Sequence, residues 1–252
     1  MYRVGIDIGS TSAKIIVLNE STEIIYKNVI PTGWSSFETA IKISEELEQH
    51  GISKEESKFT ATGYGRVSVP YANRTVTEIT CHGKGAAHLF GTQNSTVIDI
   101  GGQDTKIITL EGGNVVDFIM NDKCSAGTGR FLEIMANTLG MNLNDMCELA
   151  REGSGVSISS MCTVFAESEV ISLIGSGRPK KDIAFGVIDS IANKVKSLCS
   201  KHANNSSKIY LTGGLCENSY IIEMLSDKLD AQVHSDPMGR YAGALGAALM
   251  AK

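Results

Sequence analysis

The sequence predicts an α/β fold built from two related lobes. Three observations predict it: a strand–turn–strand segment that occurs twice, strand and helix signals that alternate along the rest of the chain, and the lack of any Pro- or Ser-rich linker between the halves. Residues 6–18 read IDIGSTSAKIIVL and residues 98–110 read IDIGGQDTKIITL. At an offset of 92 residues, eight of thirteen positions are identical, among them Asp7 and Asp99, Gly9 and Gly101, and Lys14 and Lys106. The expected organisation is a single unit over 1–252. Lobe I takes about 1–94 plus a C-terminal helix at 239–252, and lobe II takes about 95–238.

Each repeated segment is read as a strand (4–8; 97–100), a small polar turn, and a second strand (14–18; 106–110), because apolar and often β-branched residues fill both arms. An amphipathic helix follows at about 36–50, with Ile41, Ile43 and Leu47 among its apolar positions. Residues 59–66 (FTATGYGR) read as a strand ending in a glycine-rich turn that includes Gly65. Residues 128–140 look helical, with Thr128 as N-cap and Gly140 just past the end. Further helices are expected at 163–174, stopped by Gly175-Ser176-Gly177, and at 182–202. Then come a strand at 208–211, a tight turn at Thr212-Gly213-Gly214, a helix at 219–229, and the small-residue helix GALGAALMA after Pro237.

Bulk composition excludes several classes. The 252 residues are 42% hydrophobic and 20% charged, ordinary for a globular protein. A net charge of −5 without a basic stripe argues against nucleic-acid or membrane surfaces as partners. The longest apolar runs, such as 15–18, fall far short of the ~20 residues of a membrane span. The start, MYRVGIDIGS, lacks a signal peptide's charged, apolar and cleavage regions, so a cytoplasmic location is expected. Six cysteines stand at 81, 124, 147, 162, 199 and 216 with no CxxC pair, and no disulfides are expected.

Four pieces point to nucleotide binding. The two turns, Ser10, Thr11, Ser12, Ala13 and Lys14 in one and Gly101, Gly102, Gln103 and Asp104 in the other, offer backbone N–H groups together with hydroxyl and amide donors. Asp7 and Asp99 place a carboxylate at the end of each first strand. A phosphate–magnesium site needs this combination of N–H dipoles for the anion and an acid for the metal's water shell. Ordinary hairpins are the alternative, and the repetition of the same Asp and Gly weighs against it. The third piece is the strand–TGG–helix at 209–225, whose Gly213 and Gly214 permit close backbone approach to a flat ligand. The fourth is the glycine-rich helix start at 239–246, including Gly243. Neither a Walker A sequence nor a GxGxxG after a strand occurs.

Two cysteines stand apart from the rest. Cys124 in NDKCSAGTGRFLE and Cys162 in SISSMCTVFAESEV each lie just before a helix, where free N–H groups favour a thiolate or an anionic cluster. A 4Fe-4S cluster takes four thiolates, so two per chain would suffice in a symmetric dimer. The residues alone leave this open against plain buried thiols. Cys81, His82 and His88 (CHGKGAAH) fit no zinc spacing and read as a helix start packed in the core. Cys216 is either near nucleotide or a packing residue, and Cys147 and Cys199 lie in helical patterns. Glu167 and Glu169 are read as partner contacts or as solvated residues. Tyr64, between two glycines, either edges a nucleotide cleft or is simply exposed, and Trp34 carries no signal.

The order of these motifs resembles the actin, sugar-kinase and heat-shock-chaperone ATPase superfamily over almost the whole chain. There, two related lobes clamp ATP between two phosphate hairpins and an adenosine turn. The segments NDKCSAGTGRF, CTVFAESEVIS, GIDIGSTSAK, IDIGGQDTK and GALGAAL closely resemble the activator component of 2-hydroxyacyl-CoA dehydratases, in the family that includes benzoyl-CoA reductase ATPase subunits. The resemblance implies ATP/ADP, Mg2+ and one 4Fe-4S cluster per homodimer, ligated by Cys124 and Cys162. It assigns phosphate to the loops 10–14 and 101–104 and adenosine to Gly213 and Gly214. Asp7 and Asp99 would hold the magnesium water shell, and Asp104 or Gln103 would help place the attacking water. Ferredoxin or flavodoxin would supply one electron, which ATP hydrolysis would help deliver to the dehydratase or to a reductase of the benzoyl-CoA type. A small-molecule kinase would need an acceptor-activating base that no segment supplies. It would also leave both helix-start cysteines unexplained, and an actin-like assembly protein would polymerise with nucleotide, whereas a shared cluster implies a closed dimer.

Overall fold

The computed structural model describes residues 1–159, 162–200 and 208–252. In chain order the elements are β1 (Tyr2–Ile8), β2 (Ser12–Leu18), β3 (Ile24–Pro31), α1 (Ser36–Gln49), β4 (Ser57–Thr62), β5 (Arg74–Thr75), α2 (Glu78–Leu89), β6 (Ser95–Ile100), β7 (Thr105–Glu111), β8 (Asn114–Asn121), α3 (Gly129–Thr138), α4 (Leu143–Ala150), α5 (Thr163–Gly175), α6 (Lys180–Cys199), β9 (Lys208–Gly213), α7 (Ser219–Leu229), β10 (Val233–Ser235) and α8 (Ala242–Leu249). The strands form two five-stranded sheets, in the orders β3-β2-β1-β4-β5 and β10-β9-β6-β7-β8. The chain divides into two compact units. Unit 1 is Met1–Ser95, Ile108–Asp117 and Met238–Lys252, and unit 2 is Thr96–Ile107 and Phe118–Pro237.

In unit 1, β1 pairs antiparallel with β2 and parallel with β4. Successive side chains of a strand point to opposite faces. Val4, Ile6 and Ile8 therefore join Ala13, Ile15 and Val17 of β2, Phe59 and Ala61 of β4, and Ala40, Ile43 and Leu47 of α1 in one core. The opposite face carries Gly5 and Asp7, and it is covered by α8. Any side chain at position 5 would overlap the backbone of Ala244. Gly85 of α2 meets Ala242, and Gly246 of α8 meets Cys81, each backbone against backbone. The glycines of α2 and α8 thus serve close helix packing.

In unit 2, Ile98, Ile100 and Ile107 pack with Phe131, Leu132 and Met135 of α3, Met146 and Cys147 of α4, Val187, Ile188 and Ile191 of α6, and Ile221 and Leu225 of α7. The same alternation turns Asp99 away from that core. Asn142 and Asn218 cap α4 and α7 through Asp145 N (2.9 Å) and Ile221 N (3.0 Å).

The helices largely occupy their expected places, with three differences. Ile41, expected among the apolar positions of α1, is exposed while Ile43 and Leu47 are buried. Thr128 does occupy the N-cap of α3, but its hydroxyl donates to the Ser125 carbonyl at 2.7 Å instead of capping. The helix expected over 182–202 begins earlier and ends at Cys199, and positions 201 and 202 lie outside the described residues. Four strands, β3, β5, β8 and β10, were not anticipated. Among the described residues, no helix is long and apolar enough to cross a membrane.

Candidate functional site

The first hairpin centres on Asp7, which is buried at the end of β1 and lies opposite Lys14 in the β1–β2 register. Two glycines make room for its carboxylate. A methyl at position 63 would overlap Oδ1, and one at position 243 would overlap Oδ2. His82 Nε2 of α2 stands 3.6 Å from Oδ2. Lys14 Nζ donates to the Ser12 carbonyl at 3.2 Å, and among the described residues it has no carboxylate partner. Gly9 N–H closes the turn onto Ser12. The N–H groups of Ser10 and Thr11 make no hydrogen bond among the described residues. Ser10 and Ser12 are half-buried, Thr11 is exposed, and the Ala13 methyl lies in the core, with its backbone paired in the sheet opposite Ile8 and Ile30.

The second hairpin repeats this with one difference. Asp99 is buried and accepts from Thr212 Oγ1 at 2.8 Å. Lys106 Nζ lies 3.3 Å from Asp99 Oδ2 and 2.7 Å from Asp104 Oδ1, a nearly buried cation between two acids. The cluster carries a net negative charge, which suits a divalent cation and its water shell. Gly101 N–H closes the turn onto Asp104, and the N–H groups of Gly102 and Gln103 make no hydrogen bond among the described residues. Gln103 is exposed. The carbonyls of Gly101 and Gly102 accept from Gly129 N (2.9 Å) and Arg130 N (2.8 Å), which locks the turn onto the start of α3. Each hairpin therefore presents a pair of unused backbone donors beside a buried acid, the pattern that holds an oxyanion.

The structural repeat extends beyond the hairpins. Gly213 has φ +91°, and any side chain there would overlap the Ile100 backbone. Gly63 has φ +83° and stands in the same relation to Ile8. Gly214 N donates to the Ile100 carbonyl at 3.2 Å, and Gly65 N donates to the Ile8 carbonyl at 2.8 Å. The turn at 62–65 in unit 1 is thus the counterpart of the turn at 212–214 in unit 2, each led by a threonine. This equivalence and His82 beside Asp7 escaped the sequence analysis. The shared Thr-Gly dipeptide at the end of each strand was the available signal.

The cysteines separate into two groups. Cys81, Cys147, Cys199 and Cys216 are buried, whereas Cys124 is half-buried and Cys162 exposed. Burial pushes the Cys81 and Cys147 thiols up to about 11 and Cys199 to about 12, so these three are protonated at neutral pH. Cys162 is the N-cap of α5. Cys124 sits four residues ahead of the α3 N-cap, in a loop that Asn121 Nδ2 ties down through the Cys124 and Ala126 carbonyls. The neighbours of the two cysteines meet: Ser125 Oγ and Thr163 Oγ1 lie 2.7 Å apart. The two segments that carry these cysteines are thereby brought into contact. No group of three or more ligating side chains occurs among the described residues. Glu167 accepts from Thr138, and Glu169 accepts from the Ser159 backbone and hydroxyl, so both brace α5 within the chain.

These features can be set beside known proteins. The chain is 44% identical over 254 residues to the (R)-2-hydroxyglutaryl-CoA dehydratase activating ATPase of Acidaminococcus fermentans, covering 100% of this chain and 97% of the relative. The structure of the activator of 2-hydroxyisocaproyl-CoA dehydratase from Clostridium difficile with bound ADPNP superposes with a TM-score of 0.91 at 35% identity, over 100% of this chain and 94% of that one. A ROK family glucokinase from Streptomyces griseus, bound to glucose and AMPPNP, matches with a TM-score of 0.60 at 15% identity over 100% of this chain and 99% of that one. That likeness shows the fold, the two-lobed actin-like and sugar-kinase-like ATPase architecture. The model of the BadF/BadG/BcrA/BcrD ATPase family matches residues 4–251, and the chain belongs to that family.

Proposed function

We propose that this protein is an ATP-hydrolysing reductive activator of a 2-hydroxyacyl-CoA dehydratase. It accepts one electron from a reduced ferredoxin or flavodoxin and passes it to the client while ATP and water become ADP and phosphate. The observation that carries the redox half is the Ser125–Thr163 contact, which supports Cys124 and Cys162 as paired ligands. The identities to named dehydratase activators support the client class.

In this reading each hairpin is a phosphate-binding element for ATP. The N–H groups of Ser10, Thr11, Gly102 and Gln103 hold phosphate oxygens, and Lys14 neutralises them. Asp7 and Asp99 would hold the water shell of a Mg2+ ion, with Gly63 and Gly243 giving Asp7 its space. Asp104, or the exposed Gln103, places the attacking water. Gly213 and Gly214 border adenosine, and Gly65 borders the first hairpin.

Cys124 and Cys162, with their counterparts in a second copy, would hold a 4Fe-4S cluster, which supplies one-electron redox chemistry when bound. The start of α5, where Cys162 makes no side-chain capping bond among the described residues, favours its negative charge. Helix α5 also supports the homodimer. It leaves Val164, Phe165, Ile171 and Ile174 exposed, and apolar side chains of that size gain by being covered.

Anaerobic purification followed by iron analysis and dehydratase activation tests the proposal. About four irons per two chains, with activation that requires both ATP and a reductant, is the expected result. Iron-free protein, or activation without nucleotide, would overturn it.

A further inference from the structure

Five large apolar side chains on two neighbouring segments of unit 1 are open to solvent: Trp34 (87% exposed), Phe37 (54%), Ile41 (36%), Tyr64 (79%) and Val67 (81%). Two segments meeting at glycine gather them. The Ser36 side chain abuts Gly65 so closely that a methyl there would overlap Ile8 and crowd Ser36. Trp34 and Phe37 flank Ser36 on one segment, and Tyr64 and Val67 flank Gly65 on the other. Ile41 follows Phe37 by one turn of α1, on the same face. The loop bearing Trp34 is pinned, because Thr39 Oγ1 donates to the Thr32 carbonyl (2.6 Å) and Thr32 N to the Thr11 carbonyl (3.1 Å).

The size of the patch selects its occupant. Aromatic side chains carry about 150–250 Å² each, so these five, at their exposures, present on the order of 600 Å². Monomers rarely leave more than about 300–600 Å² of contiguous apolar surface open. The area matches one side of a transient complex burying up to about 1,200 Å² in total, and it falls short of the roughly 1,000–2,500 Å² per subunit of an obligate dimer. Trp and Tyr are also the side chains that most often anchor interfaces. A protein that docks and leaves fits this surface, and a permanent second copy does not.

We infer that the patch around Trp34 and Val67 is the docking surface for the client enzyme, a folded protein that presents an apolar recess to these side chains. The inference rests on the proposed activator function, which is what requires a transient protein client. The turn that carries Tyr64 and Val67 also reaches the first hairpin. Gly65 N holds the Ile8 carbonyl at 2.8 Å, and Gly63 packs on the Asp7 carboxylate. Client docking and nucleotide occupancy therefore share one turn. Whatever factor nucleotide imposes on client affinity, the client must impose on nucleotide affinity.

The test is sedimentation of the anaerobic holoprotein with (R)-2-hydroxyglutaryl-CoA dehydratase and, separately, with 2-hydroxyisocaproyl-CoA dehydratase, in the presence of a non-hydrolysable ATP analogue. Trp34→Glu and Val67→Glu should weaken the complex about tenfold or more and reduce activation to match. Intrinsic ATP hydrolysis, iron content, dimer sedimentation and the unfolding midpoint should stay at wild-type values. Val116→Glu, at an exposed apolar position outside the patch, should leave the complex intact. Wild-type affinity in both patch variants, an equal loss from Val116→Glu, or dissociation of the dimer would overturn the inference; the last outcome would give the patch to a second copy. A wild-type protein that binds and activates neither dehydratase would overturn the proposed function itself, and the client as occupant with it.

Discussion

The Thr212 hydroxyl donates to Asp99 Oδ1 at 2.8 Å, a buried bond between residues 113 apart in sequence. It fixes the acid of the second hairpin to the end of the strand that leads into the glycine turn. Thr212→Val keeps the shape and removes the donor. Hydrogen bonds to charged groups contribute about 1.5–3 kcal/mol, so the unfolding free energy should fall by about that much, with a loss of ATP hydrolysis. Denaturant unfolding and phosphate release measure the two effects. Wild-type values for both would mean that the bond orients nothing that matters.

Asp7→Asn and Asp99→Asn should each lower ATP hydrolysis a hundredfold or more, the order expected when a preorganised electrostatic group is lost, while iron content stays near wild type. The cysteines lie on other segments, so the two functions should separate. Unchanged turnover in both variants would reduce the hairpins to structural elements.

The glycines of α8 make opposite predictions. Gly246→Ala drives a methyl into the Cys81 backbone, which cannot yield, and should cost about 1–3 kcal/mol or more of stability. Gly243→Ala meets the Asp7 carboxylate and the His82 ring, which can rotate. Its main effect should be lost hydrolysis with a smaller shift in melting temperature. Thermal unfolding and ATPase rates of the two variants, taken side by side, check this.

Cys124→Ser and Cys162→Ser should abolish iron binding, and Cys147→Ser and Cys199→Ser should retain it. Equal iron loss in all four would remove the assignment. Removing iron with a chelator should weaken the dimer while nucleotide still binds, since ligand binding stabilises only the state that holds it. Analytical ultracentrifugation with ADP compares the two states.

Thiol chemistry supplies a pH test. Burial holds Cys81 and Cys147 near 11 and Cys199 near 12, above the unperturbed thiol. Because the folded values are raised, these thiols cost no stability below about pH 8.5. Stability should then fall as pH rises from about 9 through 11–12, where only the unfolded chain can ionise them freely. In iron-free protein at pH 8, iodoacetamide should modify Cys162 and Cys124 well before these three, as peptide mass mapping would show. Faster labelling of Cys147 or Cys199 would contradict their burial.

Local chemistry made much of this protein legible. Turn residues and strand composition reveal both hairpins, because IDIG followed by small polar residues is a local signal and its repetition needs no structure. Helix α7 matches its expected bounds, since Asn218 caps its start and Asp230 in the left-handed region ends it. The edge strands β3 and β8 were missed because both faces are partly exposed, so neither shows clean alternation. The Thr62-Gly63 counterpart of Thr212-Gly213 was missed because the segment between strand and turn is about twice as long in the second half, which defeats any fixed-offset comparison.

The sequence by itself determined the two-lobed α/β class, the paired acids Asp7 and Asp99, and the two cysteines set in polar segments before helices. Only the tertiary structure decided which residues meet: His82 with Asp7, Ser125 with Thr163, Thr212 with Asp99, and Ser36 with Gly65 beneath the Trp34 patch. The reason is physical. Propensity, capping and turn chemistry act over a few residues and are written in local order. Contacts between distant segments depend on how whole faces pack, and a serine against a glycine leaves no mark in the chain until β1, α1 and the 62–65 turn have closed on one another.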